Sequence, residues 1–224
     1  MSARAVAAWV PWPSFAVPDT ARRVVWRWAL VAVLATLAGC QMLGVRPSPP
    51  VPPLLEPGSG GLNVQLNQRM TLSMDGRKHH MVMVVSFSPT QTRMTGFTLT
   101  GQRLLDIVQE GGRITSWQSE LVDRDVPARW LLSQMQLAYW PEEALQQAYH
   151  GPWSLRQEAR ERALYLEDEL VVMVSYAADF GGPEAGSQLT IKHHRMALVM
   201  AIETLKVKEL AARSGPDNMS EAGQ

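Results

Sequence analysis

Two strand-length segments of this chain are apolar on both faces, and this pattern limits the folds that the chain can adopt. Met81–Val85 reads Met-Val-Met-Val-Val, and Leu170–Val174 reads Leu-Val-Val-Met-Val. Successive side chains of a strand point to opposite faces, so a sheet with one face in water alternates apolar with polar residues. Both segments therefore need cover on each face. A strongly curved sheet wrapped around a helix or an apolar cavity supplies that cover.

Segments with strand patterns lie on both sides of a central helical region. Turn signals such as Asp75-Gly76 and Gly111-Gly112 separate them. About five strands are predicted before the helices, over Leu62–Met74, His80–Phe87, Thr92–Thr100, Arg103–Gln109 and Arg113–Ser119. About five are predicted after them, over Trp153–Glu158, Ala163–Glu167, Leu170–Ala177, Gln188–His194 and Ala197–Val207.

The central region predicts a pair of helices. Pro127 opens the first, and Ala128–Tyr139 is apolar around much of its circumference. Pro141 opens the second, and its first turn carries Glu142 and Glu143. These carboxylates are explained by the positive end of the helix dipole.

The predicted fold is α+β and mainly β: a curved antiparallel sheet forming an open half-barrel, with the helical pair as its plug or lid. Methionine offers adaptable contacts to acyl chains, and several methionines lie on elements expected to face inward. The candidate cavity or lid residues are Met81, Met83, Trp130, Met135, Leu137, Tyr139, Trp140, Met173 and Met200. The alternative interpretation is that these side chains simply form the core.

The N-terminal region has the pattern of a bacterial export signal. Three arginines precede an apolar run from Trp28 to Gly39, which is shorter than the roughly 20 residues of a spanning helix. The run ends in Leu37-Ala38-Gly39-Cys40, which resembles the bacterial lipobox and implies cleavage before an acylated Cys40. Cys40 is the one cysteine of the chain, and acylation would cap a thiol that has no disulfide partner. An uncleaved short membrane anchor is the alternative.

The composition beyond the signal divides the chain further. We predict a signal peptide over 1–39, a Pro/Gly-rich tether over 40–61, a folded domain over 62–208 and a disordered tail over 209–224. Gln41 follows the acylated position. In the enterobacterial sorting rule an Asp there retains a lipoprotein in the inner membrane, so Gln41 predicts the outer membrane, facing the periplasm.

The charge of the mature chain excludes some partners. Residues 1–39 hold four of the 21 basic and one of the 21 acidic residues, so residues 40–224 carry a net charge of −3. This balance does not support nucleic-acid binding, and it gives no electrostatic attraction to anionic lipid. Two or more acyl chains would nevertheless anchor the protein stably in a membrane.

No pattern of catalytic or metal-binding residues stands out, so we predict no enzyme activity, no cofactor and no metal. Neighbouring residues of a strand face opposite ways, so neither His79-His80 nor His193-His194 can direct two ligands at one ion. We instead expect a structural hydrogen bond from His194. Ser175 and Ser187 lie outside any Gly-x-Ser-x-Gly elbow. The charged run 158–162 is interpreted as a solvated turn.

Four short motifs carry a resemblance to a known family: Gly101–Leu104, Gln136–Pro141, His194-Arg195 and Ile202–Leu205. Over residues 54–207 the chain resembles an uncharacterised bacterial outer-membrane lipoprotein family, whose members are often encoded in aryl-polyene gene clusters. Met196 and Ala197 depart from its pattern, in which an aromatic residue and a glycine are usual. In layout that family is similar to the lipoprotein carriers LolA and LolB. The resemblance implies an open half-barrel that holds acyl chains in an apolar cavity.

Two functional hypotheses follow. The first is an outer-membrane lipoprotein that binds lipid-like or acylated cargo, such as an aryl-polyene lipid, and assists its transfer to the outer membrane. The alternative is a non-catalytic envelope lipoprotein that docks a protein partner through its apolar helical segment, residues 127–141. A hollow beneath the helices favours the first hypothesis, and solid packing there favours the second.

The lipobox interpretation predicts that Cys40→Ser abolishes incorporation of radiolabelled palmitate, because the acylated atom is the Cys40 sulfur. The measurement is labelling in growing cells followed by gel autoradiography of the purified chain. Equal labelling of the wild type and the variant would contradict acylation at this position.

Overall fold

The computed structural model describes residues 51–211, and within them ten strands and two α-helices form one body. The first five strands are β1 (Val64–Met74), β2 (Arg77–Phe87), β3 (Gln91–Phe97), β4 (Arg103–Glu110) and β5 (Arg113–Gln118). The helices are α1 (Ala128–Tyr139) and α2 (Glu142–Ala148). The last five strands are β6 (Trp153–Gln157), β7 (Glu161–Leu166), β8 (Glu169–Tyr176), β9 (Gln188–His193) and β10 (Leu198–Glu209).

All ten strands belong to one antiparallel sheet in the order β5-β4-β3-β2-β1-β10-β9-β8-β7-β6. The first and last strands of the chain's sheet therefore pair at its centre, from Val64 opposite Glu209 to Met74 opposite Leu198. The sheet edges, β5 and β6, are not paired with each other in this part of the chain, so the curved sheet is not closed into a barrel. The predicted α+β open half-barrel is confirmed, and so is the predicted number of strands and helices.

Three irregularities in the register contribute to the curvature. They lie between β1 and β10 at Asn67/Gln68, between β3 and β4 at Gly96/Phe97, and between β7 and β8 at Leu164/Tyr165. An extra residue on one strand bends that strand and increases its local twist. Gly96 has a second role, because a Cβ at this position would lie 3.0 Å from the Leu105 side chain.

The concave face of the sheet is a continuous apolar surface. Apolar residues lie opposite one another on successive strands: Leu66 is opposite Val85, Val85 is opposite Met94, and Met94 is opposite Ile107. On the other half of the sheet, Met70, Ile202 and Leu189 continue this surface, as do Met200, Ile191 and Val174. All of these side chains are buried.

Helix α1 lies on this concave face and covers it. The apolar residues Val82, Val84 and Met173 on the other face are only half-buried, so the expectation of full cover on both faces is wrong. Every residue from Trp130 to Trp140 is buried, including Ser133, Gln134 and Gln136. A helix buried on all sides belongs inside a core rather than on a surface. Of the two predicted roles, plug and lid, α1 therefore has the first. No helix within residues 51–211 has the length and apolarity to cross a membrane.

The residues that precede β1 pack against this body. Pro57–Gly60 forms a short 3-10 helix, and a Cβ at Gly60 would lie 2.5 Å from the ring of Trp140. The side chain of Gln136 accepts a hydrogen bond from the Leu55 N–H (2.8 Å) and donates one to the Leu55 carbonyl (2.8 Å). Residues 55–60 of the predicted tether thus pack against the folded body. Residues 40–50 of the predicted tether lie outside the described part of the chain, together with the signal region and most of the tail.

Loss of the Gln136 amide should detach the segment that precedes β1. We expect Gln136→Leu to lower the free energy of unfolding by about 2 kcal/mol, because the buried N–H of Leu55 loses its partner and the carbonyl of Leu55 keeps only its bond from Gln109. Gln146 lies on the exposed side of α2, so Gln146→Leu should change stability by less than about 0.5 kcal/mol.

Urea denaturation measures the stability of each variant, and limited proteolysis reports release of residues 51–61. Equal stability of the two variants and equal protection from proteolysis would show that the hydrogen bonds between Gln136 and Leu55 do not hold this segment in place.

Candidate functional site

The candidate site is the interface between α1 and the concave face, and most of the predicted cavity residues meet there. Met83, Met135, Leu137 and Trp140 have no exposed surface. Met200, Tyr139 and Trp130 are also buried, and Met81 is half-buried on the same face of β2. A side chain with no accessible surface borders no void of the size of a water molecule. The hollow expected beneath the helical pair is thus filled by α1 in this conformation.

Met173 is the exception among the predicted inward residues. It lies opposite Lys192 on β9 and Ala163 on β7, whereas its neighbours Val172 and Val174 face the core. The segment Leu170–Val174 is apolar on both faces, so its sequence does not indicate which of its residues point inward. The register with β9 decides this, because Ile191 and His193 are the buried residues there.

Helix α1 is attached to the sheet through side chains. No backbone–backbone hydrogen bond joins α1 to a strand within residues 51–211. One side-chain contact lies on β1, where the amide of Gln68 donates to the Tyr139 hydroxyl (2.6 Å) and to the Thr204 hydroxyl (3.3 Å). Burial raises the pKa of Tyr139, opposed by its hydrogen bonds with Thr204 and Gln68. The helix can therefore separate from the sheet without breaking any strand pairing.

The C-terminal end of α1 is held by Arg162. Its Nη1 donates to the carbonyl of Leu137 (2.9 Å) and to that of Trp140 (2.7 Å), while the hydroxyl of Tyr176 donates to Ala138 (2.8 Å). These carbonyls belong to the last turn, where a helix has no internal donors for them and carries partial negative charge. A buried cation there satisfies both requirements. The interpretation of residues 158–162 as a solvated turn is wrong for Arg162, which is 1% exposed on β7.

The charge of Arg162 has no close carboxylate. No acidic oxygen of the described residues lies within 4.0 Å of it, and its Nε has no hydrogen-bond partner there. Phe180 covers the guanidinium, with its ring centroid 4.6 Å from the central carbon, and Tyr176 lies at 5.7 Å. Burial lowers the pKa of Arg162, while the negative potentials of Tyr176 and Glu142 raise it. An arginine remains charged under these conditions.

A cavity of about 300 Å³ opens next to this group. Tyr139, Tyr176, Phe180 and Leu189 line it, together with the glycine-rich β8–β9 loop, residues 177–187. Phe180 therefore lies between the cavity and the guanidinium of Arg162. The sequence patterns did not predict this pocket. The one local indication that Arg162 is buried was its alternation with the apolar Leu164 on the same strand.

The opposite end of α1 contacts a buried histidine. His193 is 3% exposed, its ring lies 6.1 Å from that of Trp130, and its Nδ1 accepts the N–H of Met196 (3.2 Å). Desolvation, followed by the charges of His194 and Arg195, lowers the pKa of His193 to about 4. The structural hydrogen bond expected from a side chain in this pair thus belongs to His193 rather than to the exposed His194.

The described residues contain no group of three His, Cys, Asp or Glu side chains that could hold a metal ion. Ser187 donates its hydroxyl hydrogen to the Glu184 carbonyl (2.7 Å), and Ser175 has no hydrogen bond to a histidine in this part of the chain. Glu142 and Glu143 occupy the first turn of α2, as their helix-dipole interpretation requires. Among residues 51–211, the interface between α1 and the sheet is mainly apolar and contains one buried cation, Arg162.

The buried His193 predicts a pH dependence of stability. Its folded pKa lies below the unfolded value of about 6.5, so the unfolded state binds more protons and stability falls as the pH decreases from 6.5 towards 4. Urea unfolding midpoints measured across this range should fall less steeply in His193→Gln than in the wild type. His194→Gln, which changes the exposed neighbour, should retain the wild-type slope. The same slope in all three proteins would contradict this assignment.

Comparison with known proteins places the fold in a family. A family model described as "Protein of unknown function (DUF3261)" matches residues 65–206, which is more than half of the 224 residues and spans the sheet from β1 to β10 together with both helices. No curated protein matches the chain. The chain therefore belongs to the DUF3261 family.

Proposed function

We propose that this protein is an outer-membrane lipoprotein that captures lipid-like or acylated cargo on the concave face of its half-barrel and assists transfer of that cargo to the outer membrane. The observation that carries the proposal is the nature of the plug. An unclosed apolar sheet holds α1 without any backbone pairing in the described residues. Cargo would take the place of α1 rather than enter an existing cavity.

The apolar contributions to an exchange of helix for acyl chain are similar in size. Releasing Trp130, Leu132, Met135, Leu137 and Trp140 costs on the order of 10 kcal/mol, at about 1.5–3 kcal/mol for each large apolar side chain. A palmitoyl chain gains about 0.8 kcal/mol per buried methylene, on the order of 12 kcal/mol in all. The two apolar terms are of the same order, and release of α1 would also break its buried hydrogen bonds with Gln68, Leu55 and Arg162.

The methionines suit this role. Met70, Met83, Met94 and Met200 are buried on the strands that face α1, and Met135 is buried on α1 itself. An unbranched, polarizable side chain repacks against an acyl chain more readily than a branched one. An aryl-polyene lipid and a lipoprotein acyl chain are the two cargo classes that we consider.

The N-terminal region supplies the proposed location. Acyl chains on Cys40 would anchor the protein in the outer membrane, and residues 40–50 would link that anchor to the packed segment at Leu55. Since Leu55 is bonded to Gln136 on α1, the membrane linker leads directly to the plug.

Partner docking through residues 127–141 receives less support. All residues from Trp130 to Trp140 are buried, so the surface that a partner would need is covered. The filled interior favours docking over a preformed cavity, as set out for the second hypothesis, but docking through this segment also requires α1 to leave the sheet. The concave face that α1 leaves exposed is apolar, so contact with lipid would be more favourable there than contact with water.

Photo-crosslinking in membranes tests the proposal on the full chain. Cells are grown with photo-methionine, the membranes are irradiated, and lipid adducts are located on the purified protein by mass spectrometry. We expect adducts on the concave methionines Met83, Met94 and Met200, because cargo would contact them once α1 moves. Met173 on the outer face is an internal control for random contact with lipid.

Adducts confined to Met173 would overturn the proposal, as would a complete absence of adducts on the concave methionines in cells that acylate Cys40.

A further inference from the structure

We infer that Arg162 and Tyr149 form a headgroup site for an anionic amphiphile, with a carboxylate or phosphate head and an alkyl chain. This inference rests on the proposed function and names the chemical class of its cargo. It depends on the unpaired edge of a buried guanidinium, on a second buried donor without a partner in the described residues, and on the cavity lined by Phe180, which covers the guanidinium.

The guanidinium of Arg162 has a free edge. Nη1 makes both bonds to α1, whereas Nε is buried and has no partner among the described residues. A planar guanidinium binds a carboxylate or phosphate through two parallel N–H groups, and the edge that contains Nε supplies such a pair. Glu142 and Glu143 act on this buried charge without an ion pair, since no acidic oxygen of the described residues lies within 4.0 Å of it, so an anion at this edge would stabilise the site.

Tyr149 provides the second donor. It is 5% exposed, its hydroxyl has no hydrogen-bond partner in the described residues, and it follows α2 directly. Burial raises its pKa, and the positive charge of Arg162 is close enough to oppose that shift. The hydroxyl therefore remains protonated at neutral pH and can donate to an anionic oxygen.

The neighbouring cavity would accept the alkyl chain. Its aromatic and aliphatic wall includes Tyr139, Phe180 and Leu189, and Phe180 also covers Arg162. Two carboxylates lie at the rim. Asp179 is paired with Arg160 (2.8 Å), and Glu184 is exposed to water, so neither neutralises Arg162. Movement of Phe180 on its glycine-rich loop would join the cavity to the guanidinium.

This geometry couples headgroup binding to the plug. The same guanidinium that would bind the anion holds the carbonyls of Leu137 and Trp140 at the end of α1. An anion that draws Arg162 towards Phe180 would weaken those two bonds. Capture of an anionic amphiphile would thereby promote release of the helix.

The test uses the full chain in nanodiscs of phosphatidylcholine and four diazirine-bearing probes of equal chain length: a fatty acid, an alkyl phosphate, an alcohol and an amine. The readout is the yield of protein adducts for each probe. We expect the acid and the phosphate to label the chain about tenfold more than the alcohol, since hydrogen bonds to a charged group are the strong ones. Inorganic phosphate added as a competitor should not reduce the labelling by the fatty acid, because the alkyl chain contributes to binding.

Three variants locate the effect. Arg162→Met should remove the preference for anionic probes, and Tyr149→Phe should reduce it several-fold. Tyr149→Phe deletes a hydroxyl that has no partner in this structure, so we expect it to fold even where Arg162→Met does not. Arg69→Met, which removes an exposed arginine paired with Glu203 away from the cavity, should keep the wild-type preference.

The outcomes separate this inference from the function on which it rests. Equal labelling by all four probes on the concave methionines, unchanged in Tyr149→Phe, overturns the headgroup site and leaves lipid capture standing. Displacement of the fatty acid by inorganic phosphate overturns the amphiphile and indicates a free-anion site. No labelling by any probe overturns both the headgroup site and lipid capture.

Discussion

A helix buried on every side requires that its polar end groups be satisfied inside the protein, and the rest of this structure follows from that requirement. Helix α1 ends in the apolar interior, where water cannot bind the carbonyls of its last turn. Arg162 and Tyr176 supply the missing donors from β7 and β8. The half-barrel thus provides both an apolar wall for the side chains of the helix and specific donors for its backbone.

The plug is connected to the N-terminal side of the domain as firmly as to the sheet. The backbone of Leu55 is bound by the side chain of Gln136, and its carbonyl also accepts from Gln109 on β4 (2.7 Å). The indole N–H of Trp140 donates to Ser59 (3.0 Å). Any displacement of α1 must therefore alter the segment that leads towards the proposed membrane anchor. Anchoring and cargo capture would be mechanically linked if the proposed function is correct.

Local sequence patterns predicted the number, type and approximate position of the elements well. Alternation identified the inward face of β2, where Met83, Val85 and Phe87 are buried, because a strand repeats every two residues. The same rule failed on β8, since a segment that is apolar on both faces has no informative alternation. Arg162, Gln68 and His193 were missed as buried groups for another reason. A charged or polar residue is expected on the surface unless a partner for it is known. The partners of these three residues lie far away in the chain, so their burial could not be predicted.

The sequence alone determined that this chain forms a mainly β domain with a central helical pair, because periodicity and turn chemistry act over a few residues. It also indicated that both faces of some strands need cover, which the structure bears out for the concave face alone. Only the tertiary structure decided that the cover is α1 itself and that Arg162 lies beneath it. Those outcomes depend on the pairing of β1 with β10 and on contacts such as that between Leu55 and Gln136, which join residues 81 positions apart. No local pattern predicts such a contact, because the two residues meet only once the sheet has curved around the helix.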